Sequence, residues 1–120
     1  MRYLLTLLAV MMFTLSANAQ IDTTALSTEA PVEEVLDNQT LWQRASQAYI
    51  DGDFAAATQL YTLIESRGYY SARLYYNMGN AFFKAGNLGK AILYYNRALV
   101  VSPSMEDAAY NLEIAEAQTK

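Results

Sequence analysis

Residues 75–99 read YYNMGNAFFKAGNLGKAILYYNRAL, two stretches with helical spacing of apolar residues that are separated by a glycine and an asparagine. Gly86 can take the left-handed conformation that ends one helix, and the Asn87 side chain can cap the amide groups that open the next. Gly79 and Ala91 have minimal side chains, which let the two helix backbones approach closely. The stretch therefore predicts a helical hairpin.

The same pattern occurs earlier in the chain, because residue types recur when the sequence is shifted by 34 residues. Repetition at this period is typical of stacked helical hairpins. Tyr61 and Tyr95 follow the small residue of each second helix by one turn, so we expect them to fill the space beside it. The matching pairs are Ala45 with Gly79, Ala48 with Phe82, Tyr49 with Phe83, Gly52 with Gly86, Asp53 with Asn87, Ala57 with Ala91, and Tyr61 with Tyr95.

Turn signals end each hairpin and introduce a final helix. Gly68 ends the first hairpin, and Pro103 stops the last helix of the second. Ser104 and Asp107 have the spacing of a capping box, which predicts a last helix from about Met105 to Gln118. We expect its apolar residues on one side and its acidic residues on the others, as in a solvated cap: Ala109, Leu112, Ile114 and Ala115 against Glu106, Glu113 and Glu116.

These residues resemble the tetratricopeptide repeat signature, which reads here as Tyr75, Met78, Gly79, Phe82, Ala91, Tyr95 and Pro103. The resemblance implies an all-α fold of two hairpins, residues 38–71 and 72–105, with a capping helix at 106–118, wound into a short right-handed superhelix. The first repeat fits less closely, because Arg44 occupies the usual leucine position. Since repeat domains usually need about three units, we expect marginal stability that improves with a partner or with self-association.

The N-terminus has the features of a secretory signal peptide. Arg2 precedes the apolar run from Tyr3 to Leu15, and the small-residue pattern ANA predicts cleavage after Ala19 and a periplasmic or exported protein. An N-terminal membrane anchor is the alternative, although the 13 apolar residues fall short of the roughly 20 that span a bilayer. Residues 20–37 are polar and acidic without a sustained period, which predicts a flexible linker before the repeat domain at 38–120.

A signal peptide followed by such repeats resembles, more narrowly, the repeat component of the Bacteroides aerotolerance operon, an envelope protein of Bacteroidetes. Proteins of that kind usually continue into membrane segments and an SH3-like domain, which these 120 residues do not include. The resemblance implies a role in the cell envelope.

Composition excludes several classes of function. The 120 residues suffice for one small domain, and the net charge of −4 without a basic patch argues against nucleic acid as a partner. The chain has no histidine and no cysteine, and it shows no glycine-rich phosphate loop. We therefore predict no catalytic residues, no metal site, no cofactor and no enzymatic activity.

The candidate site follows from the resemblance, which implies that the first helix of each hairpin lines a concave groove. Asparagine side chains carry both donors and an acceptor, so spaced asparagines can pair with the backbone of an extended peptide. Asn77 and Asn80 are the strongest candidates, because asparagine is a poor helix former and packing does not obviously require two in one turn. The predicted partner-binding residues are Trp42, Ser46, Tyr49, Arg73, Tyr76, Asn77, Asn80, Lys84, Tyr110 and Asn111.

The sequence thus predicts a protein-interaction adaptor that holds a partner protein or peptide in this groove. Alternatives are a self-associating structural subunit, a component of a membrane-protein complex, and recognition of a cell-wall glycan by Trp42 and the tyrosines. A clamp for a C-terminal carboxylate is not predicted. The family's clamp has lysines where this chain has Trp42 and Asp107, and an arginine where it has Asn111.

Overall fold

Five helices account for most of residues 35–120, the part of the chain that this computed structural model describes. The predicted signal peptide and nearly all of the predicted linker lie outside those residues. The helices are α1 (Asn38–Ile50), α2 (Phe54–Ser66), α3 (Ala72–Lys84), α4 (Leu88–Val101) and α5 (Glu106–Ala117). Residues 35–120 contain no strand, and the all-α fold of helical hairpins is confirmed.

The helices keep the 34-residue register of the sequence. The first helices α1, α3 and α5 begin at residues 38, 72 and 106, and the second helices α2 and α4 begin at 54 and 88. Each helix packs against the next along the chain, and α5 also contacts α3. Leu36–Lys120 consequently form one compact unit with two hairpins and a closing helix.

The turns inside the hairpins have the predicted chemistry. Gly52 and Gly86 have φ angles of 80° and 83°, which residues with a Cβ rarely adopt. The Asp53 carboxylate then accepts a hydrogen bond from the Ala56 amide, and the Asn87 side chain accepts one from Lys90, both at 3.1 Å. The two turns are therefore equivalent, and each caps the helix that follows it.

Small residues and tyrosines form the centre of each hairpin, as predicted. Ala45, Ala57 and Ala91 are fully buried, and Tyr61 and Tyr95 fill the space beside them. Gly79 allows the closest approach, because a Cβ on this residue would lie 2.5 Å from the Tyr95 ring. Tyr95 can occupy its position only because residue 79 has no side chain.

The start of α5 differs from the prediction. Its N-cap is Met105, and no side chain forms a capping hydrogen bond with the first turn. The predicted capping box of Ser104 and Asp107 was therefore wrong. Ser104 lies in the turn after Pro103, where the Met105 amide donates to the Ser102 carbonyl at 3.1 Å. The helix consequently begins one residue too late for Ser104 to reach it. The carboxylates of Glu106 and Asp107 in its first turn still interact favourably with the helix dipole.

The buried face of α5 also differs from the prediction. Ala108 and Ala115 are buried and Leu112 is half-buried, whereas Ala109 and Ile114 are exposed. The observed set follows positions i, i+4 and i+7, the spacing of one helix face. The acidic residues Glu106, Glu113 and Glu116 are exposed, as predicted for a solvated cap.

No helix within residues 35–120 combines the length and the apolar composition that crossing a membrane would require.

Candidate functional site

The three first helices converge on one open cavity of about 290 Å³, which we call the main cavity. Helix α3 supplies half of its lining, and α1, α4 and α5 supply the remainder. Its lining residues are Tyr49, Tyr76, Asn80, Phe83, Lys84, Tyr95, Asn111 and Ile114. Five of the predicted partner-binding residues therefore meet at one place: Tyr49, Tyr76, Asn80, Lys84 and Asn111.

A smaller cavity of about 180 Å³ adjoins the main one, and we call it the side cavity. It shares Tyr49 and Asn80 with the main cavity, so the two form a continuous surface that we call the groove. Its complete lining is Ser46, Tyr49, Ile50, Tyr61, Asn77 and Asn80, which adds Ser46 and Asn77 from the predicted set.

A hydrogen-bond network holds the floor of the main cavity. The Tyr95 hydroxyl donates to Asn80 Oδ1 at 2.6 Å, and Asn111 Nδ2 donates to the same oxygen at 3.0 Å. Asn111 Nδ2 also lies 3.3 Å from the Tyr76 hydroxyl oxygen, to which it donates. Asn80 therefore links α3 to both α4 and α5, a structural reason for this asparagine that the sequence did not reveal.

The first hairpin has a simpler version of this link. Ser46 Oγ and the Tyr61 hydroxyl lie 3.0 Å apart, and both residues precede Asn80 and Tyr95 by one repeat. In both hairpins, a polar residue of the first helix thus bonds the tyrosine of the second helix. These bonds fix the tyrosine hydroxyls at the surface of the groove.

Asn77 differs from Asn80 in having no hydrogen-bond partner for its side chain within residues 35–120. It is half-buried in α3 and lines the side cavity. Asparagine lowers helix stability, and no hydrogen bond from the Asn77 side chain to residues 35–120 offsets that cost. The Asn77 amide is therefore available to a ligand.

Burial favours the neutral form of two tyrosines of the groove, Tyr49 and Tyr95. Burial is the main cause that raises the pKa of Tyr95 well above its usual value, and Tyr76 and Tyr49 nearby raise it further. Partial burial likewise raises the pKa of Tyr49. At neutral pH both residues present hydroxyl groups that can donate and accept, beside apolar ring surface.

Three predicted residues lie outside the groove. Trp42 packs edge-on against Tyr61 with ring centroids 5.6 Å apart, and it lines a separate cavity with Asn38, Gln39, Ile64 and Tyr69. Arg73 is exposed near the start of α3, and Tyr110 is 67% exposed on α5. Neither Arg73 nor Tyr110 lines the main or side cavity.

The groove also contains residues that the sequence analysis did not assign to it. Phe83 and Ile114 follow Tyr49 and Asn80 by one repeat, so the 34-residue register could have identified both. Ile50 ends α1 and is 75% exposed. Tyr61 and Tyr95 were assigned to the core, where their rings do lie, although they also line the groove.

The chemistry of this surface suits binding. It combines aromatic rings, three carboxamides with hydrogen-bonding atoms unused within residues 35–120, and one lysine, which are groups that contact polypeptides. Within residues 35–120, no cluster of three or more histidine, cysteine, aspartate or glutamate residues could hold a metal ion.

Stacked helical hairpins with a polar and aromatic groove define a helical-repeat scaffold. Residues 72–105, the second hairpin with its following turn, match the family model of the tetratricopeptide repeat. The chain therefore contains a tetratricopeptide repeat, a unit that generally mediates protein–protein interaction.

The curated proteins that are similar to this chain include one from a plant and one from Acaryochloris marina. Protein SGT1 homolog from Oryza sativa subsp. japonica is 35% identical over 68 residues, which cover 57% of this chain and 18% of the rice protein. Photosystem I assembly protein Ycf3 from Acaryochloris marina (strain MBIC 11017) is 34% identical over 67 residues, covering 53% of this chain and 40% of that protein. The chain thus spans less than half the length of either relative.

Proposed function

We propose that this protein is a non-catalytic adaptor of the bacterial cell envelope that holds a segment of a partner protein in the groove. The observation that carries the proposal is the convergence of α1, α3 and α5 on one cavity, with the Asn77 side chain unbonded to residues 35–120 and Lys84 at the rim. Packing of the hairpins requires neither residue. A partner segment would supply hydrogen bonds and cover the exposed aromatic edges.

The envelope location rests on the sequence. The apolar N-terminal run with its small-residue cleavage pattern supports export, and the resemblance to aerotolerance-operon repeat proteins supports a place in the envelope of a Bacteroidetes cell. The two curated relatives support the adaptor role only through their shared repeats. Photosystem I assembly is named for one of them and is not carried over to this chain.

A cross-linking pull-down from envelope extract tests the proposal. The tagged full chain is compared with an Asn77→Ala, Lys84→Ala double variant, in which neither change removes a core contact. The matched control is Asn96→Ala, Lys90→Ala, which changes the same residue types on exposed positions of α4. We expect one envelope protein to be captured by the wild type and the control and lost from the groove variant. Equal capture by all three would contradict the proposal.

A second candidate function, self-association as a structural subunit, is favoured by a separate surface. Tyr70, Tyr75, Arg97, Val100 and Val101 line a shallow depression of about 350 Å³ at the end of the second hairpin. Tyr70 is 67% exposed and Val100 is 82% exposed, a large apolar area for the surface of a small domain.

Concentration-dependent mass separates the two functions. If the depression joins copies of the chain, the mass measured by sedimentation should rise with concentration, and Tyr70→Ser with Val100→Ser should abolish the rise. If the groove function is correct, both versions should remain monomeric and retain the envelope partner. A wild-type monomer at all concentrations would exclude self-association through this surface.

A further inference from the structure

The hydrogen-bond network sets which polar atoms the main cavity offers to a ligand. Asn80 Oδ1 already accepts from Tyr95 and Asn111, so the part of Asn80 left for a ligand is its Nδ2 amide, a donor. The Tyr76 hydroxyl oxygen accepts from Asn111, which leaves its hydrogen to be donated elsewhere. Asn111 Oδ1 has no hydrogen bond within residues 35–120 and remains an acceptor, but Asn80 Nδ2, the Tyr76 hydroxyl and Lys84 make donors the larger group, so a ligand with acceptors suits the cavity.

The charge of the main cavity points the same way. Lys84 is the one charged side chain among its lining residues, and Lys84 forms no ion pair within residues 35–120. Three other cations of residues 35–120 are engaged elsewhere. Lys90 lies over the Phe82 ring, Arg97 lies over the Tyr94 ring near Glu65, and Arg67 bonds the Leu36 carbonyl.

The side cavity has a different character, because none of its lining residues is charged. Ile50 and the ring of Tyr49 provide apolar surface there, and Asn77 supplies a carboxamide with no partner within residues 35–120. Since Tyr49 and Asn80 belong to both cavities, one extended segment can cross from the apolar end to the end with Lys84.

We infer that the groove selects an extended protein segment with an apolar side chain followed or preceded by an internal aspartate or glutamate. The apolar side chain lies in the side cavity against Ile50 and Tyr49. The carboxylate lies in the main cavity, where it accepts from Lys84 and the Asn80 amide, and Asn77 pairs with the backbone between them. This inference rests on the proposed function, since it names the chemistry of the partner segment.

Short peptides test the inference directly with the full chain. The probes are acetylated and amidated, so that no terminal carboxylate is present, and each carries one leucine and one glutamate at varied spacing in an alanine and serine background. Each has a partner peptide with glutamine in place of glutamate. We expect the best glutamate peptide to bind about threefold to tenfold more tightly than its glutamine partner, with the difference shrinking as salt is added.

Variants of Lys84 identify the origin of the preference. Lys84→Met should bind the two peptides of a pair equally, and Lys84→Glu should prefer a peptide with lysine in place of glutamate. Lys90→Met, which removes a cation outside the groove, should keep the wild-type preference.

The failures are distinguishable. Equal binding of glutamate and glutamine peptides that still depends on Asn77 would overturn the acidic preference and leave the proposed function standing. A preference for glutamate that survives in Lys84→Met would also overturn the inference, because the carboxylate would bind elsewhere. Failure of every peptide in the array to bind would overturn both.

Discussion

Gly79 is the residue on which the close packing of α3 and α4 depends most directly. Its missing side chain leaves room for the Tyr95 ring, which a Cβ would approach to 2.5 Å. Gly79→Ala should therefore lower the free energy of unfolding by about 1–3 kcal/mol, although alanine has the better helix propensity. Gly89 is the matched control, since the nearest atom to a Cβ there is 3.9 Å away.

Gly89→Ala should raise the free energy of unfolding by about 0.5–1 kcal/mol, because the exposed helical position then gains propensity without a clash. Urea unfolding of the two variants beside the wild type gives both values. Stabilisation by both substitutions would show that Tyr95 moves aside without cost.

The buried tyrosines predict a loss of stability at alkaline pH. The pKa values of Tyr94 and Tyr95 are raised in the folded chain, mainly by burial, from an ordinary value of 10.0. The contribution of these two protonated hydroxyls to the free energy of unfolding is complete below about pH 10. It is lost as the pH rises above that value, because the tyrosines of the unfolded chain then lose their hydroxyl protons more readily than those of the folded chain. Urea midpoints measured between pH 8 and 11 should fall above pH 10, and less steeply in Tyr95→Phe. Identical dependence of the urea midpoint on pH in the wild type and in Tyr95→Phe would contradict a role for the Tyr95 hydroxyl.

For individual residues, the sequence predicted which small side chains pack between helices better than it predicted which asparagine is left for a ligand. Small residues at 45, 79, 57 and 91 were predicted to pack, and they do. Asn77 and Asn80 look alike in the sequence, yet Asn80 is committed to Tyr95 and Asn111 whereas Asn77 makes no such bond within residues 35–120. That difference depends on where Tyr95 of α4 and Asn111 of α5 lie in the folded domain, which local spacing does not encode.

Among the elements, α3 and α5 are both first helices but begin in different ways. Ser71 is the N-cap of α3, and its hydroxyl accepts from the Leu74 amide at 3.0 Å. Ser104 makes no such bond, because α5 begins after Met105. Ser71→Ala should therefore lower the free energy of unfolding by about 1 kcal/mol, whereas Ser104→Ala should change it by less than about 0.5 kcal/mol.

Urea unfolding measures both substitutions, and amide exchange reports which helix loosens. Faster exchange in the first turn of α3 is expected for Ser71→Ala. An equal loss of stability in Ser104→Ala would mean that Ser104 caps α5 in solution after all.

The buried face of α5 was predicted less well than the buried faces of the other helices. The hairpin helices α1 to α4 have repeat-related partners, so their buried positions could be read by comparison. Helix α5 packs on α3 and α4 without a second helix of its own within residues 35–120, and its alanines at 108, 109, 115 and 117 offer several apolar faces. Packing selects Ala108 and Ala115, a choice that composition leaves open.

For the whole molecule, the 34-residue register was enough to predict the fold. It places the helix starts at equivalent positions and sends the first helices to one side, where the groove forms. Seven of the ten predicted partner-binding residues line the groove, while Trp42, Arg73 and Tyr110 lie outside it, and their role in binding stays a prediction. Trp42 packs against Tyr61 and lines a separate cavity, and Arg73 and Tyr110 are exposed, so a position on a first helix does not by itself place a side chain in the groove.

Site-specific photo-cross-linking in cells tests whether a partner binds in the groove. A benzoylphenylalanine in place of Asn77 puts the reactive group in the side cavity, and the same residue in place of Asn96 puts it on the exposed face of α4. We expect one discrete adduct from position 77, formed with an envelope protein and absent from position 96. Identical adducts from both positions, or adducts from position 96 alone, would contradict it.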